Sequence, residues 1–380
     1  MATKNHIYFD VALYLIIPFF GFYTVKFGFS PIYLTFILSV LFLMLGSFSN
    51  MHSWSADNVT LVSVTLVFYA ILSYFLTWNY SDRIPSAWIN YIFSFVYCLA
   101  TILVLRNSSR TFILNSAYYA ITFSISLLAI ELLVRLSNPV TPEELGHYGR
   151  EDIFWYVYKS NSFMYPDSNS IGLFASCLFM FTLQLGRYYY RRVNVFLLPI
   201  FILVLGSISR AAIISTIVIY LYQLIESRKV RLLYLLALVI FGGLAFLYII
   251  INDESVLSRF WIAGLVFQYL TDATILSLLF GVGPGNAEDI LNVGTHLLPF
   301  TLLVETGVIG TFLFVVLWYS IYIKSHKMAG VLCLVFILNG FSFTSFAIPW
   351  FYAMSVILIF LSKGINFGKV TTNINSSASI

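Results

Sequence analysis

The chain has 380 residues, of which 60% are hydrophobic and only 9% are charged, and its formal net charge is +4. A soluble globular protein carries about 25% charged residues, so this composition excludes a chain whose whole surface faces water. The basic residues form no tract with interleaved aromatic residues, which argues against a nucleic-acid partner.

Apolar runs of roughly twenty residues recur along the chain, and each can cross ~30 Å of hydrocarbon as a helix. The first run begins at Ile7 and lacks a small-residue cleavage site, so it is predicted to be a retained span and not a signal peptide. The pattern predicts an all-α polytopic membrane protein in which residues 1–380 form a single transmembrane domain of about twelve helices.

The predicted spans, in chain order, are 8–27, 30–47, 59–79, 87–105, 111–135, 168–186, 193–208, 211–226, 231–251, 297–322, 328–345 and 349–363. Two longer polar segments, at about 136–167 and 252–295, lie between the fifth and sixth spans and between the ninth and tenth.

Lysine and arginine accumulate in the short connections on one side of this predicted bundle, and such loops face the cytoplasm. Thirteen of the twenty basic residues share that side, namely Lys4, Arg106, Arg110, Arg187, Arg191, Arg192, Arg228, Lys229, Arg231, Lys324, Lys327, Lys363 and Lys369. Both termini are therefore predicted to be cytoplasmic, and both longer polar segments are predicted to be extracytoplasmic loops.

The three cysteines, Cys98, Cys177 and Cys333, lie inside apolar runs and lack metal-ligand spacing, so they are predicted to be buried packing residues. The chain contains no H-E-x-x-H or G-x-S-x-G motif and no His, Cys, Asp or Glu cluster with the spacing of a metal site. The sequence therefore predicts no bound metal and no conventional soluble hydrolase.

A glycine-rich stretch, "FGVGPGNAED" at 280–289, resembles a phosphate-binding loop, but it lacks the Lys and Ser/Thr of a Walker motif. Asn286 occupies the position of the third glycine in a dinucleotide fingerprint, and no βαβ unit is predicted around it. The stretch is predicted to be a flexible outer turn that leads into the tenth span, and not a nucleotide site.

Three polar side chains are predicted to face the outer side near the membrane surface: Arg210, Arg259 and His296. Arg210 is either a residue that snorkels at the end of a hairpin or a ligand for a phosphate. Arg259 is either on the polar face of an interfacial helix or a second anion ligand. His296 is either a solvated or capping histidine near a helix start or a functional base.

Glu305 lies about two turns inside the tenth span, on the opposite helix face from His296, and is predicted to be a buried supporting residue and not a catalytic partner. Asn169 lies at the start of the sixth span and is predicted either to belong to a capped helix start or to contact a ligand. Glu131 and Arg135 are four residues apart, so a local ion pair is predicted between them.

The order of motifs "YPDSNSIG", "SISRAAII", "LSRFWIAG", "FGVGPGN" and "THLLPFTLLVETGVIG" resembles the O-antigen ligase and O-antigen polymerase superfamily of bacterial membrane glycosyltransferases. The resemblance covers Tyr165 to Gly310, and the amino-terminal half matches only in hydrophobicity. The family often has His-Asn where this chain has His296 followed by Leu297.

The resemblance implies transfer of a glycan from an undecaprenyl-diphosphate carrier to an acceptor hydroxyl, on the periplasmic side of the bacterial inner membrane. By position, Arg210 and Arg259 match family arginines that hold the diphosphate, and His296 matches the histidine that activates the acceptor. No cofactor is implied, because the lipid diphosphate is the leaving group. The implied partners are the lipid-linked oligosaccharide and the bilayer, with a chain-length regulator as a further candidate.

The motifs do not separate a polymerase, whose acceptor is another lipid-linked repeat unit, from a ligase, whose acceptor is the lipid A core. The amino-terminal half carries no recognisable signature, which favours the polymerase. A non-enzymatic flippase for lipid-linked oligosaccharides is the alternative from another class. It would need charged residues lining mid-membrane spans in both halves of the chain, whereas here few charges lie at mid-depth.

Overall fold

The computed structural model describes residues 2–24, 30–47, 57–77, 85–141, 157–159, 161–165, 168–225, 228–252, 254–295, 297–342 and 345–363. All regular secondary structure in these ranges is helical, which confirms the all-α part of the predicted fold class.

In chain order the α-helices of the described residues are α1 (Ala2–Ile16), α2 (Pro31–Ser47), α3 (Asn58–Leu76), α4 (Pro85–Arg106), α5 (Arg110–Ser137), α6 (Ser168–Tyr188), α7 (Leu197–Gly206), α8 (Arg210–Leu224), α9 (Arg228–Asn252), α10 (Glu254–Asp272), α11 (Ile275–Phe280), α12 (Ala287–Leu291), α13 (Leu298–Lys324), α14 (Gly330–Asn339) and α15 (Pro349–Ser362). A 3₁₀-helix, Arg191–Phe196, leads into α7.

Helices α6 and α15 form the centre of the bundle. Of the residues in the most apolar stretch of α6, 89% are buried. The residues of α15 from Pro349 to Ile359 are all buried. Phe174 of α6 packs edge-on against Trp350 of α15, with ring centroids 5.0 Å apart. This aromatic pair is one direct contact between the two central helices.

Five helices of the described part of the chain are long and apolar enough to cross a membrane, namely Asn58–Leu76, Ser86–Arg106, Arg110–Ser137, Ser168–Tyr188 and Leu298–Lys324. Large apolar side chains remain exposed on them, such as Phe68 and Phe75 of α3 at 68% and 69%. Apolar surface of this extent suits contact with lipid and not with water. The chain is therefore a helical membrane protein, while the number of twelve spans stays a prediction.

Several predicted boundaries differ from the structure. The first predicted span, 8–27, is shorter as a helix, because α1 ends at Ile16. The predicted span 328–345 ends early, because α14 stops at Asn339. The segment 252–295 contains the helices α10, α11 and α12, and its extracytoplasmic position stays a prediction.

Contacts between helix termini divide the bundle into two ends. At the end that we call the basic end, Arg106 Nη2 lies 3.2 Å from Asp57 Oδ2, and Ser362 Oγ donates to the Lys324 carbonyl. The opposite end, which we call the loop end, contains the start of α6, α8 and α13 and the end of α5, α7 and α14. Cys98, Cys177 and Cys333 are buried inside the bundle, as the sequence predicts.

Candidate functional site

Arg210 is the first residue of α8, and its side chain is exposed at the loop end. Ser209, the N-cap residue of α8, makes no side-chain capping bond to this helix. Its hydroxyl donates instead to Asn169 Oδ1 at 3.1 Å. The start of α8 thus combines a guanidinium with the positive end of a helix dipole, and both favour an anion.

Small residues explain how α6 and α8 approach each other at this point. A Cβ atom added to Gly172 of α6 would lie 2.7 Å from the Cβ atoms of both Ser209 and Ala212. Ser176 Oγ also donates to the Ala212 carbonyl. The motifs "YPDSNSIG" and "SISRAAII" therefore meet through their small residues, and Asn169, predicted to be a supporting residue, lies beside the turn that carries Arg210.

Arg259 lies in α10 and is half-buried. Its Nη2 atom donates to Ser342 Oγ at 3.4 Å. The next two side chains, Phe260 and Trp261, are 55% and 59% exposed. An arginine beside exposed aromatic residues is typical of a helix that rests at a membrane surface, and both alternatives predicted for Arg259 remain compatible with this position.

Helix α14 ends at Asn339 and continues into a turn. We call residues 339–342 the 339–342 turn, and three segments of the chain meet there. Asn339 Nδ2 donates to Ser215 Oγ at 2.8 Å. The Gly340 carbonyl accepts from the Leu298 N–H at 2.7 Å, and Ser342 accepts from Arg259.

These contacts bring together the segments that carry the predicted site residues. Ser215 follows Arg210 by five residues, or ~7.5 Å along α8. Leu298 begins α13 two residues after His296, which itself lies outside the described residues. The 339–342 turn therefore connects the helix of Arg210, the side chain of Arg259 and the first residue of α13.

Helix α13 is interrupted at Gly307, which has φ 62° and ψ −173°. The glycine-rich loop fills the interruption, because the Val282 N–H donates to the Val304 carbonyl at 2.9 Å and the Gly283 N–H to the Glu305 carbonyl at 3.0 Å. Backbone groups released by a break inside a membrane span need such partners.

The Glu305 side chain is 9% exposed and accepts hydrogen bonds from the backbone N–H groups of Gly285 and Ala287. Glu305 is thus buried, as predicted, and holds the glycine-rich loop, while its supporting role in a site stays a prediction. Two backbone N–H donors are suitable partners for a carboxylate that is removed from water.

The glycines of the loop are required by close backbone contacts. Gly281 has a φ of 77°, and an added Cβ would lie 2.3 Å from the Glu305 backbone. A Cβ on Gly307 would lie 2.5 Å from the Gly281 nitrogen. The prediction of a flexible outer turn is therefore wrong, because Gly281 and Gly283 are buried and bonded within the bundle.

The sequence interpretation missed both the 339–342 turn and the break in α13. A signal for each was present. Asn339-Gly340 is a common turn pair, and Glu305 and Gly307 are unusual neighbours inside an apolar span. Neither signal interrupts the apolar pattern of its span, because the surrounding residues are uniformly apolar.

Among the described residues no group of three or more His, Cys, Asp or Glu side chains is arranged to hold a metal ion. Comparisons with family models, with curated proteins and with solved structures find no match for this chain.

Proposed function

We propose that this chain is a polymerase of a bacterial surface polysaccharide. It transfers a glycan from undecaprenyl diphosphate to the acceptor hydroxyl of another lipid-linked repeat unit, at the outer face of the inner membrane. The single observation that supports this most strongly is the meeting of three segments at the 339–342 turn. Those segments carry Arg210, Arg259 and the start of α13 after His296, in the motif order that resembles the O-antigen polymerase and ligase superfamily.

The chemistry of these side chains suits a lipid diphosphate. A guanidinium binds phosphate oxygens through a planar fork of N–H donors. Two such groups, Arg210 and Arg259, would stabilise the negative charge that grows on the diphosphate as the bond from the sugar C1 atom to the phosphate oxygen breaks. Undecaprenyl diphosphate leaves, and the acceptor oxygen forms the new glycosidic bond to C1.

The acceptor hydroxyl loses its proton in this step, and we assign the base to His296 by its position in the motif. A neutral imidazole can accept a proton near pH 7. Asn169 and Glu305 support the site indirectly, because Asn169 contacts the turn before Arg210 and Glu305 holds the glycine-rich loop next to α13.

The proposed topology places the loop end in the periplasm and the basic end in the cytoplasm. Positive residues favour the cytoplasmic side, and Arg106, Arg187 and Lys324 lie at helix termini of the basic end. Twelve spans, cytoplasmic termini and outer segments 136–167 and 252–295 belong to this proposal. A chain-length regulator in the same membrane is a candidate partner.

Deletion of the gene, followed by gel analysis of surface polysaccharide, tests the proposal. We expect a single repeat unit on the lipid core in place of the polymer ladder. Bare core with accumulated lipid-linked polymer would indicate a ligase instead. Repeat units trapped on the cytoplasmic side would indicate a flippase. An unchanged ladder would overturn all three functions.

Complementation of the deletion strain with point variants tests the two arginines. We expect Arg210→Ala and Arg259→Ala to insert normally but to lose most of the ladder, because removal of one such electrostatic contact costs ~10²–10³ in rate. Arg187→Ala is a matched control, since Arg187 is an exposed arginine of α6 that donates to the Gln223 carbonyl of α8, away from the loop end. A full ladder from both loop-end variants would contradict the diphosphate-binding role.

A further inference from the structure

The end of α5 carries a buried ion pair at the loop end. Glu131 and Arg135 are 0% and 1% exposed, and Arg135 Nε lies 3.1 Å from Glu131 Oε1. This confirms the predicted local pair. Both side chains, however, also bind backbone groups that are distant in sequence, and these contacts give the pair a wider role.

Arg135 binds the carboxyl end of α7, immediately before the turn to Arg210. Its Nη2 atom donates to the Gly206 carbonyl at 2.8 Å, and its Nη1 atom donates to the Ser207 carbonyl at 3.2 Å. The last carbonyls of a helix lack partners within the helix, and a cation is favoured there by the helix dipole. The guanidinium of Arg135 thus fixes the end of α7.

Glu131 binds the segment that precedes α6. Its carboxylate accepts from Ser162 Oγ at 2.9 Å and from the N–H groups of Phe163 and Met164, both at 2.7 Å. The same pair therefore fixes the approach to α6, which carries Asn169, and the approach to α8, which carries Arg210.

The turn between α7 and α8 needs such support. Ile208 adopts a φ of 59°, a conformation that is rare for a β-branched residue and persists only where the surroundings hold it. Arg135 binds the two residues before Ile208, and Asn169 accepts from Ser209 after it. Arg210 follows directly, so its position depends on contacts on both sides of the turn.

We propose that Glu131 and Arg135 are positioning residues for Arg210, which hold the α7–α8 turn so that the Arg210 guanidinium meets the diphosphate of the lipid donor. This inference rests on the proposed function. A buried ion pair adds little net stability, because desolvation offsets much of the attraction between the charges. Its directed hydrogen bonds do fix the backbone that they reach.

A double-mutant cycle on purified, membrane-reconstituted full chain tests this inference. The readout is kcat/KM for the lipid-diphosphate donor, measured for Arg135→Lys, for Arg210→Ala and for the double variant. Lysine keeps the charge beside Glu131 but lacks the planar fork that reaches two carbonyls. We expect Arg135→Lys to lower kcat/KM by about 10²-fold, because small displacements of a binding group have effects of this size.

The double variant distinguishes positioning from a general structural role. If Arg135 acts through Arg210, adding Arg135→Lys to Arg210→Ala lowers kcat/KM no further. The matched cycle with Arg259→Ala should give effects that multiply, since α10 makes no contact with the pair that the structure describes. Multiplicative effects in both cycles would overturn the positioning role while leaving the transferase function intact.

Folding is followed in parallel through the thermal unfolding midpoint. If Arg135→Lys does not yield folded protein, Glu131→Gln tests the same coupling. Loss of folded protein in both variants would show that the pair acts on folding and would contradict the inference. A wild-type chain without any transfer would instead refute the proposed function on which the inference rests.

Discussion

Asn339 illustrates how one buried amide can join segments that are far apart in the sequence. Its Nδ2 atom donates both to Ser215 Oγ and to the Val335 carbonyl, each at 2.8 Å. The first bond crosses from α14 to α8, and the second anchors the side chain to its own helix. Because Asn339 is 2% exposed, water cannot replace these bonds without a rearrangement.

We expect Asn339→Ala to lower the free energy of unfolding by about 1 kcal/mol and to slow glycan transfer by roughly one order of magnitude, because α8 loses its tie to the 339–342 turn. Thermal unfolding and a transfer assay measure the two effects. Ser362→Ala is the matched control, since it removes a hydroxyl bonded to the Lys324 carbonyl at the basic end. Equal losses of transfer in the two variants would contradict a local role for Asn339.

Single residues with unusual chemistry could be predicted from the sequence, and their long-range partners could not. Arg210, Arg259 and Asn169 stood out because polar groups are costly near apolar spans. The pairing of Glu131 with Arg135 followed from their helical spacing. The bonds from Arg135 to residues 71 and 72 positions away depend on which helices pack together, and hydrophobic periodicity carries no such information.

The interruption of α13 and the glycine-rich loop form one structural unit. The loop donates backbone N–H groups to the carbonyls of Val304 and Glu305, and the Tyr69 hydroxyl of α3 donates to the Thr306 carbonyl. A span can be broken inside a membrane only when its freed backbone groups are bonded in this way. The unit fixes the first turns of α13, which begins two residues after His296.

We expect Gly281→Ala and Gly307→Ala each to lower the free energy of unfolding by at least ~1–3 kcal/mol, because both positions have positive φ and a Cβ would strike backbone atoms. Gly264→Ala is the control. Nothing lies within 4 Å of its added Cβ, so a helical alanine should be neutral or slightly stabilising there. Thermal unfolding in detergent checks all three, and a Gly264 variant as unstable as the Gly307 variant would refute this explanation.

At the level of elements, the long apolar helices followed directly from runs of hydrophobic residues. The short helices α11 and α12 did not, because six and five residues are too few to show a periodic pattern. The early end of α14 did not either, because hydrophobicity alone does not show whether an apolar residue belongs to a helix or to a packed loop. The predicted outer turn at Gly281 failed for the same reason. Its glycines correctly indicated a turn, but they gave no information on whether the turn lies on the surface or is packed inside the bundle.

In the whole molecule, the two arginines of the proposed site and the two buried glutamates have different environments. Arg210 and Arg259 are exposed or half-buried, whereas Glu131 and Glu305 are buried and bonded to backbone N–H groups. This separation leaves the two guanidinium groups near the surface of the loop end, where a lipid headgroup can reach them.

The sequence predicted the overall class of a helical membrane protein. Arg106 pairs with Asp57, and the Lys324 carbonyl accepts from Ser362, both at helix termini. The order in which helices surround α6 and α15 was not predictable, because nearly every helix presents apolar side chains on all faces. The orientation in the membrane stays a prediction.

The central claim is glycan transfer from a lipid diphosphate, and one measurement tests it most directly. The purified full chain is reconstituted in liposomes with undecaprenyl-diphosphate-linked repeat units from the source cells, without nucleotide sugar and with a chelator present. We predict a ladder of lipid-linked oligomers and one released undecaprenyl diphosphate for each bond formed, and a His296→Ala protein that binds the donor without consuming it. Intact repeat units, with neither oligomers nor released undecaprenyl diphosphate from the wild-type chain, would contradict the claim.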